Sequence, residues 1–191
     1  MRIRSPLLLL CGLLSVSSCA SRAAVKIDRL YAYLTDSSQY FLLPPGGIEQ
    51  PMNMAQHMTA SYNGQDYSLF SWVKADETEM EMILLNELGA TMGELIYREG
   101  ELSLSSPVFP KSLGVEYIVA DFQLCFYDPL LLSPALEACG LRLEVQGSAR
   151  RIYKGKVLII EIEKTEGLVK LVNHRRGYAY TLEGDFSGDY K

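Results

Sequence analysis

Histidine is scarce in this sequence of 191 residues, which has only His57 and His174. His57 lies among methionines, and thioether sulfurs with an imidazole are a ligand set that suits Cu(I). On a β-strand, however, Met52, Met54 and Met58 would share one face and His57 would point to the other. We therefore expect these methionines to fill an apolar interior, and we expect no metal and no cofactor.

Signatures of catalysis are equally sparse. The sequence contains no HExxH, GxSxG, GxGxxG or Walker A motif, which are the patterns that place catalytic or phosphate-binding groups on defined turns and helices. Acidic residues cluster at 76–81, where a solvated turn and strand face are expected. His174 precedes two arginines in a segment that is typical of a solvated turn. We expect no enzyme, although a triad assembled from distant residues remains an alternative.

The thiol of Cys19 has the clearest chemical context. Residues 1–18 combine Arg2 and Arg4 with a short apolar run that is too short to span a bilayer, which predicts a signal peptide. Val16, Ser17 and Ser18 before the cysteine resemble a bacterial lipobox. Such a signal is cut between Ser18 and Cys19, and the cysteine is then acylated, with palmitate as one expected chain. Ordinary secretory cleavage is the alternative.

Loss of the signal changes the charge of the chain. It removes two arginines and no acid, so the net charge of −5 becomes −7. That charge argues against a nucleic-acid binder and against a polybasic membrane patch. Ala20 follows Cys19 where an Asp would resemble an inner-membrane retention signal. We therefore expect a protein anchored to the outer membrane by acyl chains and facing the periplasm.

Two further cysteines, Cys125 and Cys139, leave two alternatives open. In an oxidising periplasm they would pair, closing a loop of about 15 residues worth roughly 3 kcal/mol. Alternatively, both are free thiols that act as small apolar side chains.

The pattern of apolar residues predicts the elements around these groups. Residues 19–38 form a lipid-anchored tether or a short helix, because Ile27, Leu30 and Leu34 lie at helical spacing. About five strands follow from residue 53, then a helical insert near 117–139, then about five more strands. Ser133 and Pro134 predict the start of the second helix. The predicted fold class is mainly β (α+β), with a curved antiparallel sheet in one domain over residues 39–191.

Several strands are apolar on both faces, which is expected where one side encloses a cavity. Phe70 and Trp72 share a face, as do Met80, Met82 and Leu84. We take these five residues as candidates to line a ligand cavity, while a normal filled core has the same sequence signature.

A set of landmarks along residues 38–184 resembles one bacterial lipoprotein family, called domain of unknown function 3261. They include Leu42-Leu43-Pro44-Pro45, Asp121-Phe122-Gln123-Leu124 and Arg150-Arg151-Ile152-Tyr153. That family is similar to the periplasmic LolA/LolB lipoprotein carriers. The resemblance implies an incomplete β-barrel with helices as a lid over an apolar cavity. Tyr127-Asp128-Pro129 departs from the family pattern by inserting an Asp before the proline.

These observations favour a non-catalytic, lipid-anchored protein that binds acyl chains of a lipid or lipoprotein, as carrier or acceptor at the outer membrane. One alternative is a scaffold lipoprotein with a filled core that serves an envelope protein partner. A less favoured alternative is an enzyme acting on lipid-linked substrates.

Overall fold

Ten antiparallel strands pair in one open sheet in a computed structural model that describes residues 29–62, 64–108 and 114–186. The predicted signal peptide and Cys19 lie outside the described residues. From one edge to the other, the strand order is β7 (101–105), β6 (91–98), β5 (79–85), β4 (65–75), β3 (52–62), β12 (178–184), β11 (168–173), β10 (157–165), β9 (149–154) and β8 (142–146). Two five-stranded meanders therefore join where the first strand of one pairs with the last strand of the other. The predicted arrangement of five strands, a helical insert and five strands is confirmed.

Strand bounds follow the alternation of apolar and polar residues closely. Those of the first meander are β3 Met52–Tyr62, β4 Gln65–Ala75, β5 Glu79–Leu85, β6 Thr91–Arg98 and β7 Glu101–Ser105. Those of the second are β8 Arg142–Gln146, β9 Ala149–Lys154, β10 Val157–Thr165, β11 Leu168–Asn173 and β12 Tyr178–Gly184.

One face of the sheet carries most of the core. Val73 pairs with Met54 on one side and with Met82 on the other, and all three are buried. Because side chains alternate across a strand, this register places Phe70 and Trp72 on the opposite, outer face. The inner face continues across the second meander through residues such as Ile162 and Leu171.

Two helices, α1 Val115–Phe126 and α2 Pro129–Glu137, link the two edge strands of the sheet. α1 contacts β7 and α2 contacts β8. A flat ten-stranded sheet would span about 43 Å from edge to edge, so reaching both edges with two short helices requires the sheet to bend around them. The mainly β fold with an unclosed antiparallel sheet is thereby confirmed.

The second helix begins one turn earlier than predicted. Asp128 is its N-cap, with a side-chain oxygen that accepts a hydrogen bond from the Leu130 N–H at 2.8 Å, and Pro129 occupies the first helical position. Ser133 and Pro134 offer the same signature but lie inside the helix. Asp128 and Pro129 start the helix because an Asp at the N-cap and a proline at the first helical position are both favourable, and this pair comes before Ser133 and Pro134 in the chain.

The described part of the segment before the sheet forms a β-hairpin over residues 31–41, where a tether or a short helix was predicted for 19–38; residues 19–28 lie outside the described ranges. β1 Tyr31–Thr35 pairs antiparallel with β2 Ser38–Phe41, which is followed by a 3-10 turn at Pro45–Gly47. Ala32 and Leu34 alternate with exposed tyrosines and are buried in the core. The segment fits both a helical spacing and an alternation of period two. The strand conformation forms because it buries Ala32 and Leu34 in the core.

Side-chain hydrogen bonds join the hairpin to α1. The amide of Gln123 accepts from the Tyr40 hydroxyl at 2.9 Å and from the Leu43 N–H at 3.0 Å, and it donates to the Leu43 carbonyl. Gln123 is fully buried. Two of the sequence landmarks, the Leu-Leu-Pro-Pro stretch and the Asp-x-Gln-Leu segment, thus contact each other directly.

Candidate ligand cavity

An apolar cavity of about 600 Å³ lies between α1 and the inner face of the sheet. Its walls come from β3, β4, β5 and β12, and α1 covers it from the other side. Most of the wall is aliphatic or aromatic: Met58, Ala60, Leu69, Met82, Leu84, Ile118, Phe122, Phe126 and Leu182. Pockets that hold small organic ligands usually measure about 300–1,000 Å³ and are lined mainly by apolar groups. The cavity therefore has the size and the apolar lining of a site for a small apolar ligand.

The structure separates the five predicted lining residues into three groups. Met82 and Leu84 line the cavity, while Met80 is 1% exposed within the core and does not reach it. Phe70 and Trp72 correct the prediction, since they are 43% and 45% exposed on the outer face. β4 is apolar on both faces, so alternation alone does not say which face points inward. The register with β3 and β5 decides it.

One end of the cavity is polar and centres on Asp121 of α1. The Tyr178 hydroxyl donates a hydrogen bond to Asp121 Oδ2 at 2.6 Å. Burial raises the pKa of Asp121 to about 7, against the opposing effects of the Tyr178 hydrogen bond and the charge of Arg176. Arg176 stacks on the Tyr117 ring, 3.9 Å from its centroid, and also lines the cavity.

A second polar position lies on the sheet, towards the other end of β3. Gln56 is 5% exposed and Ser71 is 2% exposed, and the two face each other across β3 and β4. Both line the cavity. The Gln56 Oε1 atom is buried and has no hydrogen-bond partner among the described residues. A buried amide oxygen without a hydrogen bond lowers the stability of the fold, so Gln56 is a candidate ligand-binding residue.

The two histidines lie away from this cavity. His57 is on the outer face of β3, where its Nε2 lies 2.9 Å from the Ser68 hydroxyl and its ring lies against Phe70. His174 is exposed in the turn between β11 and β12. Neither lines the cavity wall, and within the described part of the chain no three His, Cys, Asp or Glu residues are grouped as a metal site.

Both remaining cysteines are free thiols. Cys125 is buried on α1, where its Sγ lies 3.7 Å from the Tyr180 hydroxyl, and burial raises its pKa to about 12. Cys139 is half-buried just after α2, and its thiol contacts the Leu136 carbonyl at 3.1 Å. Of the two alternatives for this pair, the structure has the free thiols and no disulfide between them.

Sequence reasoning missed the two polar positions of the cavity. Asp121 belongs to one landmark of the family resemblance, but the sequence analysis assigned a role neither to Asp121 nor to Gln56. A signal was present in each case: each is a polar residue in an otherwise apolar stretch, at a position where the apolar period requires an inward side chain. Such a buried polar residue is more informative than another apolar one.

None of the helices in the described ranges is both long and apolar enough to cross a membrane. A family model described as "Protein of unknown function (DUF3261)" matches residues 53–184. That range contains both meanders and both helices, and it begins after the N-terminal hairpin. No curated protein matches the chain.

Proposed function

The chain belongs to the DUF3261 family of proteins of unknown function. Since the family has no described function, we propose one from the cavity of this chain: the protein binds an acyl chain of a lipid or lipoprotein. The single observation that carries this proposal is the apolar cavity of about 600 Å³ between α1 and the sheet. An apolar space of this size between a helix and the sheet favours ligand binding over a scaffold with a filled core, because protein interiors normally pack with few voids larger than a water molecule.

The lining supplies the affinity that such binding needs. Apolar contact is worth about 0.8 kcal/mol for each methylene removed from water, so an acyl chain gains several kcal/mol even after the cost of association. Met58 and Met82 suit this task, because the flexible thioether chain adapts to ligands of different shape. In this proposal α1 acts as the lid over the bound chain.

The resemblance to LolA/LolB carriers and the lipobox at Cys19 extend the proposal to a place and a role. An acylated Cys19 would hold the protein on the periplasmic side of the outer membrane. The cavity would there receive or deliver acyl chains, as carrier or acceptor. The chemistry of transfer is non-covalent in this scheme, and Asp121 with Arg176 forms a polar end against which a lipid headgroup would rest.

Photo-crosslinking tests the proposal directly. The full chain, purified in mild detergent, is irradiated with a palmitate analogue that carries a diazirine, and the labelled peptides are mapped by mass spectrometry. We expect label on β5 around Met82 and Leu84 and on α1 around Ile118 and Phe122. Label confined to the outer face, or no label at all, contradicts the proposal.

A matched pair of variants on β3 localises the binding. Ala60 lines the cavity, whereas Ala55 is exposed on the outer face of the same strand. Ala60→Phe should lower labelling by roughly fivefold or more, because the ring would occupy space that the acyl chain needs and a fivefold loss corresponds to only about 1 kcal/mol of affinity. Ala55→Phe adds the same ring outside the cavity and should leave labelling unchanged.

A further inference from the structure

Gln56 has a buried side-chain oxygen inside the cavity to which no described residue donates a hydrogen bond. This atom is Oε1, and the residue as a whole is buried, with only 5% of its surface exposed. Buried amides are almost always hydrogen-bonded, because an unsatisfied one loses its bonds to water without replacement. The partner of Gln56 should therefore be a molecule that enters the cavity.

The surroundings of Gln56 indicate the chemistry of that partner. Its inward neighbours along β3 are Met54 and Met58, and its cross-strand neighbours are Ser71 and Gly184. The charged groups that line the cavity, Asp121 and Arg176, belong to its other end, beside Tyr178 and Tyr117. A charged partner at Gln56 would lack a counter-charge, so the partner is a neutral group.

Register along β3 gives the backbone separation between Gln56 and the position opposite Tyr178, whose hydroxyl donates a hydrogen bond to Asp121. Tyr178 pairs with Tyr62, and Gln56 is six residues further along the same strand. At the rise of a β-strand this is about 20 Å. Met58 and Ala60 line the cavity along this part of β3, so a group bound at Gln56 would belong to the apolar body of the ligand and not to a headgroup beside Asp121.

We propose that Gln56, with Ser71, binds a hydroxyl group on the hydrocarbon body of the ligand, so that the protein selects hydroxylated acyl chains over plain ones. A hydroxyl both donates and accepts, so it satisfies the Gln56 amide in either orientation and still leaves the Ser71 hydroxyl a partner. This inference rests on the proposed binding of acyl chains and specifies which chains are preferred.

Competition against the photoactivatable palmitate tests the selectivity on the full chain. Plain stearate, a mid-chain hydroxystearate and a stearate with its hydroxyl beside the carboxyl group are compared as competitors. We expect the mid-chain hydroxystearate to compete about fivefold to tenfold better than stearate, as one buried hydrogen bond predicts. The third competitor should resemble stearate, because its hydroxyl lies near the headgroup end.

Gln56→Leu removes the hydrogen-bonding group while keeping a similar volume. In this variant plain stearate should match or surpass the mid-chain hydroxystearate, which would now bury an unpaired hydroxyl. Gln146→Leu, at an exposed position on the edge strand β8, is the matched control and should keep the wild-type preference.

The outcomes separate the two proposals. Equal competition by all three fatty acids in the wild-type chain overturns the role of Gln56 and leaves acyl-chain binding intact; this result needs no variant and so does not depend on Gln56→Leu folding. A preference that persists in Gln56→Leu also overturns it. Absence of specific labelling in the first place overturns the proposed function and this inference together.

Discussion

Asp121 is a carboxyl group buried where charge is unfavourable. Desolvation raises its pKa to about 7 in the folded protein, while in an unfolded chain an Asp titrates near pH ~3.9. The Tyr178 hydroxyl and the charge of Arg176 stabilise the carboxylate only in part. At any pH between these two pKa values, Asp121 is therefore protonated in the folded protein and ionised in the unfolded chain.

The raised pKa of Asp121 predicts that the free energy of unfolding depends on pH. Since the folded state holds more protons than the unfolded state, stability is highest below the unfolded pKa and falls as pH rises through about 7. Each tenfold difference in proton affinity is worth about 1.4 kcal/mol, so the free energy of unfolding should drop by about 2–4 kcal/mol between pH ~4 and pH ~8.

Urea titrations across that range measure the effect. Asp121→Asn keeps a side-chain oxygen for the Tyr178 hydroxyl but has no titrating carboxyl, so its profile should be flatter than that of the wild type by the amount stated. Parallel profiles for the two proteins would contradict the assignment to Asp121.

At the scale of elements, Arg150 joins the end of α1 to the sheet. It is 4% exposed, its Nη1 donates to the carbonyls of Leu124 and Tyr127 at 2.9 and 2.7 Å, and its Nη2 donates to Glu49 Oε1 at 2.7 Å. Carbonyls at the C-terminus of a helix lack partners within the helix. Arg150 supplies them from β9 and so fixes where α1 ends.

Arg150→Met should therefore lower the free energy of unfolding by about 2–4 kcal/mol, because it leaves buried carbonyls unpaired. The neighbouring Arg151 is the matched control: its Nε donates to Glu161 at 2.7 Å on the outer face, and both side chains are partly exposed. Arg151→Met should cost under about 1 kcal/mol. Equal losses in thermal or urea unfolding would show that the helix end does not depend on Arg150.

The elements of the sheet were predictable because each strand carries its own alternation and its own turn residues. Five strands follow from residue 52, where strands were predicted from 53, and the helices lie within 115–137, where an insert was predicted near 117–139. The hairpin β1–β2 was missed because Ile27, Leu30 and Leu34 also fit a helical spacing. For the site, the sequence did not say which face of β4 is inward, since pairing between distant strands decides it and local pattern does not.

At the scale of the whole molecule, an acylated Cys19 would fix where the cavity operates. The resemblance of residues 16–19 to a lipobox predicts that this cysteine, and not Cys11, carries the acyl chains. Cys19→Ala should therefore abolish incorporation of labelled palmitate by growing cells, whereas Cys11→Ala, within a run of leucines without preceding small residues, should retain it. Palmitate that remains on the Cys19→Ala chain would refute the lipobox assignment.

Trp72 is the only tryptophan of the chain, and it lies 45% exposed on the outer face of β4, opposite the side that faces the cavity. Its intrinsic fluorescence therefore reports on the environment of the outer face of the sheet. Intrinsic emission senses solvent on the outer face, so it should move to shorter wavelength when a bilayer or another protein lies against that face. An acyl chain on the other side of the sheet should leave it nearly unchanged, so the protein's own fluorescence distinguishes what it touches from what it contains.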